Sequence, residues 1–183
     1  MPLLEITPSA YNVLIDIAYA TADNFTGTPV YKRPGCYLHP DAAECLKKVV
    51  RYAGELGYKI RIFDAYRPTE AQWKLWEHTP DPHFLADPAK GSPHSRGVAI
   101  DLTLVDAQGN DLDMGTAFDE FTPRSHHGAA DISEEAKRNR LLLLGLMTSA
   151  DWDFYRNEWW HYQLFNSKQY ALLSDKEAGT GMM

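Results

Sequence analysis

Hydrophobic and polar residues alternate with a period of two in several stretches of the chain, and this alternation predicts β-strands. Three stretches have it: residues 12–19 (NVLIDIAY), 58–66 (YKIRIFDAY) and 98–105 (VAIDLTLV). Residues 157–165 (NEWWHYQLF) are rich in aromatic side chains, which also favours a strand. The pattern therefore predicts four strands along the chain.

Two capping-box patterns predict helices between these strands. Asp41, with Glu44 three residues on, is expected to open a helix that ends at Gly57. Thr69 with Gln72 predicts a second, shorter helix.

The rest of the chain completes an α+β pattern. Residues 133–149 fit a longer helix, whose two acidic residues in the first turn favour the helix dipole. Residues 78–91 contain three prolines and predict a loop, and the tail after about residue 174 is expected to be frayed. Strands and helices do not alternate regularly, so we expect a single α+β domain over residues 1–183. Its centre is predicted to be a mostly antiparallel sheet flanked by helices.

Charge and composition exclude several classes of partner. Eighteen basic against 25 acidic residues give a net charge of −7, which discourages binding to nucleic acid. No apolar run approaches the roughly 20 residues of a membrane span, and the N-terminus does not look like a signal peptide. Cys36 and Cys45 lack metal-type spacing, so we expect reduced thiols in a cytoplasmic protein. The oligomeric state stays open.

Asp101 is unusual because it lies in a strand that otherwise looks like core. It falls on the face opposite Ile100 and Leu102, where a polar group can line a site. Together with His94 it could bind zinc, but seven extended residues would span roughly 23 Å. The chain must therefore bend between them, and Gly97 allows it. The alternative is a capped turn followed by a strand with one buried aspartate.

Glu158 and His161 stand three residues apart among aromatic side chains. In a straight strand they would point to opposite faces. Either Glu158 precedes the regular strand, or a bulge lies between the two, or they do not share a site. The alternative is an edge strand packed by tryptophans, with the charged residues in solvent.

Arg67 follows a predicted strand directly and precedes a proline. An arginine at such a strand end could stabilise the oxyanion that forms when water attacks an amide. The alternative is a surface salt bridge.

These residues carry a resemblance to a known family. Residues 92–101 (SPHSRGVAID) match the S-x-H-x-x-G-x-A-x-D signature of D-alanyl-D-alanine metallopeptidases, and residues 158–161 (EWWH) match their E-x-W-H signature. Within this group the chain resembles the D-Ala-D-Ala dipeptidases, which include vancomycin-resistance enzymes. The segments specific to them are 19–27 (YATADNFTG), 64–68 (DAYRP), 114–119 (MGTAFD) and 124–127 (RSHH). The resemblance implies the zinc fold shared by D,D-peptidases and the hedgehog signalling domain.

The resemblance also implies the metal site. It assigns one zinc ion per chain to His94, Asp101 and His161, with Glu158 as the catalytic base. Arg67 would stabilise the transition state.

Three further residues match the family's dipeptide pocket. Asp119 occupies the position that holds the substrate ammonium group, and Tyr19 and Ser92 occupy positions that line the pocket. His126 and His127 also match the subgroup, but we expect them to pack or to support other residues rather than to bind metal.

The implied function is zinc-dependent hydrolysis of D-Ala-D-Ala to two D-alanine, in cell-wall precursor metabolism or glycopeptide resistance. One alternative is a D,D-carboxypeptidase or murein endopeptidase on the same fold. Another is an inactive, zinc-stabilised binding module, although such a module needs neither Glu158 nor Arg67. The stretch between Arg67 and Ser92 is shorter than in the vancomycin-resistance members and lies near the pocket entrance, so it bears on substrate access.

Overall fold

Two sheets form the framework of the computed structural model, which describes residues 2–183. The strands within these residues are β1 (Leu4–Glu5), β2 (Leu14–Ile15), β3 (Tyr37–Leu38), β4 (Lys59–Asp64), β5 (Ala99–Val105), β6 (Trp152–Phe154) and β7 (His161–Leu164). Strands β1 and β3 pair by themselves, and the others form one sheet in the order β2-β4-β5-β7-β6. In this sheet β2 and β4 are parallel, and the remaining pairs are antiparallel. The predicted α+β class with a central, mostly antiparallel sheet is confirmed.

Helices surround the sheet. They are α1 (Pro8–Tyr11), α2 (Pro40–Glu55), α3 (Thr69–His78), α4 (Glu134–Ser149) and α5 (Asp175–Ala178), with short 3-10 helices at Ala18–Ala20, His94–Arg96, Pro123–Ser125 and Ser167–Gln169. Helices α2 and α4 contact each other, and each also packs on the large sheet. Among residues 2–183, no helix has the length and apolar character that crossing a bilayer requires.

The longer helices differ in how they begin. Helix α4 begins as predicted, because the Ser133 hydroxyl accepts a hydrogen bond from Ala136 N at 3.0 Å. The capping box predicted for α2 is wrong. Its cap is His39, whose Nδ1 accepts from Asp41 N at 3.2 Å, and Glu44 instead forms an ion pair along the helix surface. The imidazole takes the role because Pro40 opens the helix one residue early.

The capping box predicted for α3 is also wrong. Pro68 occupies the cap position and makes no side-chain capping bond, so Thr69 is already the first helical residue. Gln72 is buried with 1% of its surface exposed. Its side-chain amide therefore takes no part in capping the helix.

The first predicted strand, residues 12–19, is much shorter in the structure. Only Leu14–Ile15 pairs as a strand, and the chain then turns into the 3-10 helix Ala18–Ala20. This turn buries Tyr19 beside the end of β4, with 1% of its surface exposed. The strands predicted over 58–66 and 98–105 appear as β4 and β5.

The C-terminal tail packs on the domain, and the expectation of a frayed end is wrong. Ser174 and Glu177 form a capping box that opens α5. Beyond it, Met182 is fully buried, and Arg33 donates a 2.8 Å hydrogen bond to Gly181 O. The apolar Met182 side chain anchors the segment that was expected to be frayed.

Candidate active site

Three neighbouring strands place polar side chains in a row. Asp101 on β5 lies directly opposite His161 on β7 and directly opposite Asp64 at the end of β4. The register of β4 shifts between Ile62 and Asp64, so one extra residue turns the Asp64 side chain toward Asp101. Directly opposite residues in antiparallel strands share one face. The sheet pairing thus brings the three polar side chains together.

His94 reaches this row through the bend that the sequence predicts. The 3-10 helix His94–Arg96 ends at Gly97, whose φ of 68° lies in the left-handed region. A Cβ at Gly97 would stand 3.2 Å from the backbone N of His39 and 2.6 Å from Leu3 Cδ2, and the left-handed φ would strain any other residue, so the position favours glycine. The Ser92 hydroxyl accepts from His94 N at 3.2 Å and steadies the turn.

His94, Asp101 and His161 form a tight buried cluster. His94 Nε2 lies 3.1 Å from His161 Nδ1 and 3.4 Å from Asp101 Oδ2. His161 Nδ1 lies 3.0 Å from Asp101 Oδ1. One donor atom from each residue lies within 4.8 Å of the other two, a spacing that can hold a metal ion.

The outer nitrogen atoms of both histidines support this arrangement. His94 Nδ1 lies 2.7 Å from Ala65 O, which can only accept, so a neutral His94 that donates there would present its Nε2 lone pair to the cluster. His161 Nε2 lies 3.3 Å from Gln163 Oε1, and a neutral His161 that donates there would present its Nδ1 lone pair. Two imidazole lone pairs and a carboxylate then converge on one point, where they repel unless a cation lies between them. This donor set fits zinc.

Glu158 stands beside the cluster, in the turn that precedes β7. Its backbone N–H donates to Tyr155 O at 3.2 Å, and its Oε2 lies 3.9 Å from His161 Nδ1. Of the three possibilities for this pair, the first holds, because Glu158 precedes the regular strand. Burial, and then the charges of Asp101 and Asp119, raise the pKa of Glu158 well above its ordinary value.

Arg67 is held in the interior, so the surface salt bridge considered as an alternative is wrong. Only 5% of its surface is exposed. Its Nε donates to Asp64 Oδ2 at 2.9 Å, and its Nη1 donates to Gln72 Oε1 at 3.0 Å. Nη2 lies 3.5 Å from Asp101 Oδ2. The guanidinium is therefore oriented from three sides.

Asp119 and Tyr19 form a second polar pair. The Tyr19 hydroxyl donates to Asp119 Oδ2 at 2.7 Å, and the Arg67 guanidinium lies over the Tyr19 ring at 5.0 Å from its centroid. Burial raises the pKa of Asp119 to about 8; the bond from Tyr19 opposes this rise, and the charge of Asp101 adds to it. Asp119 therefore holds a proton more readily than an exposed aspartate, and a cation beside it would favour the ionised form.

One cavity of about 220 Å³ joins these groups. All eight site residues predicted from the sequence line it, and they are Tyr19, Arg67, Ser92, His94, Asp101, Asp119, Glu158 and His161. The loop after α3 closes one side with Pro82, Phe84, Leu85 and Ala86. His126 and His127 line a separate groove, and the His127 ring packs edge-on against Phe154 and Tyr162.

The sequence interpretation missed the residues that support the site. Asp64 accepts from Tyr31 Oη at 2.8 Å as well as from Arg67. Gln72 and Gln163 hold Arg67 and His161 through their side-chain amides. One feature of the sequence could have pointed to Asp64: a carboxylate ends the alternation of apolar and polar residues in β4. The glutamines had no distinguishing pattern.

Comparison with known proteins agrees with this geometry. A family model described as D-ala-D-ala dipeptidase matches residues 2–176. The D-alanyl-D-alanine dipeptidase of Escherichia coli (strain K12) is 46% identical over 162 residues, which cover 88% of this chain and 84% of that protein. The enzymes of the same name from Enterococcus faecalis (strain ATCC 700802 / V583) and Enterococcus faecium are 34% and 35% identical. Their matches cover 85% and 84% of this chain, and 88% and 87% of the respective relatives. The chain belongs to the D-Ala-D-Ala dipeptidase family, a family of metallopeptidases, and is a peptidase.

Proposed function

We propose that the protein hydrolyses D-Ala-D-Ala to two molecules of D-alanine, with one zinc ion held by His94, Asp101 and His161. The observation that carries the proposal is that this donor cluster opens into the same cavity as Glu158 and Arg67. The cavity volume of about 220 Å³ is below the roughly 300–1,000 Å³ of pockets for drug-sized ligands, which suits a dipeptide.

The donor set favours a catalytic rather than a structural metal. Structural zinc is usually enclosed by four protein ligands, whereas catalytic zinc has three and an open position. When bound, zinc supplies Lewis acidity and makes water nucleophilic near neutral pH. A base and a buried arginine beside the ligands have no purpose in a binding module, so the enzyme is favoured.

Glu158 acts as the general base. It takes a proton from the attacking water and delivers it to the leaving amine, so that one carboxylate serves both steps. Burial raises its pKa, which favours holding the proton taken from water until the amine leaves. Its position beside the cluster leaves it free of the metal ligands.

Arg67 stabilises the oxyanion that forms on the scissile carbonyl. A guanidinium has five N–H donors, and Asp64 and Gln72 accept from only two of its nitrogen atoms. Arg67 lines the cavity, and its Nη2, which lies 3.5 Å from Asp101 Oδ2, has a further N–H group to offer. Since its orientation is set in advance, the arginine need not reorganise during the reaction.

Asp119 binds the ammonium group of the dipeptide, and Tyr19 holds Asp119 in place. Four carboxylates lie in or beside the cavity, on Asp64, Asp101, Asp119 and Glu158, and Arg67 alone opposes them. A divalent cation and the substrate ammonium group would each favour the ionised form of these carboxylates. Ser92 contributes to the wall that receives the rest of the dipeptide. A longer peptide lacks the ammonium group at this position and leaves the Asp119 carboxylate without a cation beside it.

The deciding experiment compares two substrates. The zinc-loaded protein is incubated with D-Ala-D-Ala and with a pentapeptide ending in D-Ala-D-Ala, and released D-alanine is measured. We expect the dipeptide to be strongly preferred. Preference for the pentapeptide would assign a D,D-carboxypeptidase, and zinc binding without hydrolysis of either would assign a binding module.

We place the activity in the cytoplasm, in cell-wall precursor metabolism or glycopeptide resistance.

A further inference from the structure

Gln72 joins two parts of the site that are otherwise separate. Its Oε1 accepts from Arg67 Nη1 at 3.0 Å, and its Nε2 donates to Ala86 O at 2.7 Å. Arg67 is the buried cation of the cavity, and Ala86 belongs to the loop segment 82–86 that forms one cavity wall. One side chain thus contacts both the arginine and the wall.

The amide of Gln72 is needed for these contacts and not for packing. Ala71 and Leu75, on the same helix, are fully buried with apolar side chains, so burial at this helix face does not call for a polar group. A buried amide is costly unless its donor and its acceptor are both paired, and here both are. A carboxylate cannot donate to Ala86 O, and an aliphatic side chain satisfies neither partner.

The wall segment is fastened again at its other end. The Tyr155 hydroxyl donates to His83 O at 2.9 Å, and Asn157 Nδ2 donates to the same oxygen at 3.5 Å. Tyr155 makes no such bond to Arg67. The two fastenings therefore differ in one respect, because only the one through Gln72 also reaches Arg67.

We propose that Gln72 is a positioning residue for hydrolysis, which fixes the orientation of Arg67 and at the same time fastens the cavity wall at Ala86. The inference rests on the proposed function. It predicts that transition-state stabilisation and substrate retention both depend on this one amide, while Tyr155 affects retention alone.

The test measures kcat and KM for D-Ala-D-Ala in three variants. Gln72→Leu removes both contacts, so kcat should fall about 10-fold to 100-fold, as expected when a catalytic group loses its alignment, and KM should rise. Gln72→Glu keeps an acceptor for Arg67 but loses the donor to Ala86 O, so most of kcat should return while KM stays high. Tyr155→Phe, the matched control, should raise KM and change kcat by less than about twofold.

A packing role makes the opposite prediction for the first two variants. Leucine enters a buried site more cheaply than a carboxylate, so packing alone would make Gln72→Leu the more active one. That order, or unchanged kcat in both variants, would overturn the proposal. Zinc content and melting temperature are measured alongside, and Gln72→Met replaces Gln72→Leu if the latter does not fold.

Amide hydrogen exchange of residues 79–91 gives a readout that needs no activity. The wall should exchange faster in Gln72→Glu than in the wild type, since its bond at Ala86 O is lost. Equal exchange rates would contradict the fastening. A wild type that does not hydrolyse D-Ala-D-Ala would reject the proposed function, whereas normal hydrolysis with insensitive Gln72 variants would reject only this inference.

Discussion

The Tyr19 hydroxyl donates a 2.7 Å hydrogen bond to Asp119 Oδ2 and joins residues 100 positions apart in the chain. Asp119 has a φ of 57°, a left-handed conformation that is uncommon outside glycine. The bond occupies one carboxylate oxygen, and the other stays available to a ligand in the cavity. The pair therefore fixes the orientation of the Asp119 carboxyl group in the cavity.

The first prediction concerns this anion. A charge-assisted contact with the substrate ammonium should contribute about 1.5–3 kcal/mol, so Asp119→Ala should lose about 10-fold to 100-fold in kcat/KM on D-Ala-D-Ala. Tyr19→Phe keeps the carboxylate but frees its orientation, and its loss should be smaller. N-acetylated D-Ala-D-Ala should be a poor substrate for the wild type. In the Asp119→Ala variant, acetylation should lower turnover less, because the partner of the ammonium group is already absent. Similar wild-type rates on the free and acetylated dipeptides would contradict the dipeptidase assignment.

The second prediction concerns the metal. Asp101→Ala removes one of three donors, so the purified variant should contain much less zinc than the wild type by elemental analysis. Asp23→Ala, on the surface, is the matched control and should keep its zinc. Full zinc content with unchanged activity in Asp101→Ala would remove Asp101 from the site.

The third prediction separates the base from the ligands. Glu158→Gln keeps the shape of the side chain but cannot accept a proton. Zinc content should stay normal while kcat falls by about 10²–10⁴, the usual contribution of a general base. The assignment fails if kcat stays within about tenfold of the wild type.

The fourth prediction concerns pH and the metal-free protein. Burial raises the pKa of Asp119 to about 8, so the folded chain keeps a proton that the unfolded chain has already released above pH 4 or so. The free energy of unfolding should therefore fall as pH rises through this window, by at most about 1.4 kcal/mol per pH unit for each proton. His127 acts in the opposite sense, because burial lowers its pKa to about 4. Its effect on the pH dependence of stability lies mainly below pH 6.5, because above that pH the unfolded form is also largely deprotonated.

The measurement is denaturant unfolding of the metal-free protein between pH 6.5 and pH 8. Stability should decline over this interval, and Asp119→Asn should make the decline shallower, since its side chain does not titrate. Added zinc should also reduce the decline, because a nearby cation favours ionised carboxylates. Stability that rises with pH in the wild type would contradict the role of Asp119.

The motifs that resemble the dipeptidase family predicted the site better than the alternation pattern predicted the supporting structure. Alternation placed Asp101 on the face opposite the core side chains, and a site shared with His94 required a bend, which Gly97 makes. The relation between Glu158 and His161 stayed open, because residue spacing alone does not show where β7 begins. The structure places that start at His161.

Other features were not predictable from local pattern because distant contacts decide them. Gln72 looked like a capping residue, yet its amide binds Arg67 and the loop carbonyl of Ala86. The tail was expected to be frayed, yet Met182 lies in the core. In each case a single long-range partner outweighs the local preference.

Strand β5 and the loop segment 82–86 form two sides of the cavity, and the strand is held much more firmly than the loop. The strand is buried at all seven positions and paired on both edges, so any change in its length would displace Asp101 and disturb the hydrolytic centre. The loop is attached through a few carbonyl groups and contributes no metal-binding atom. Insertions or deletions in the loop away from Ala86 should therefore alter mainly which molecules are admitted. During divergence the range of substrates can drift while the reaction itself is conserved.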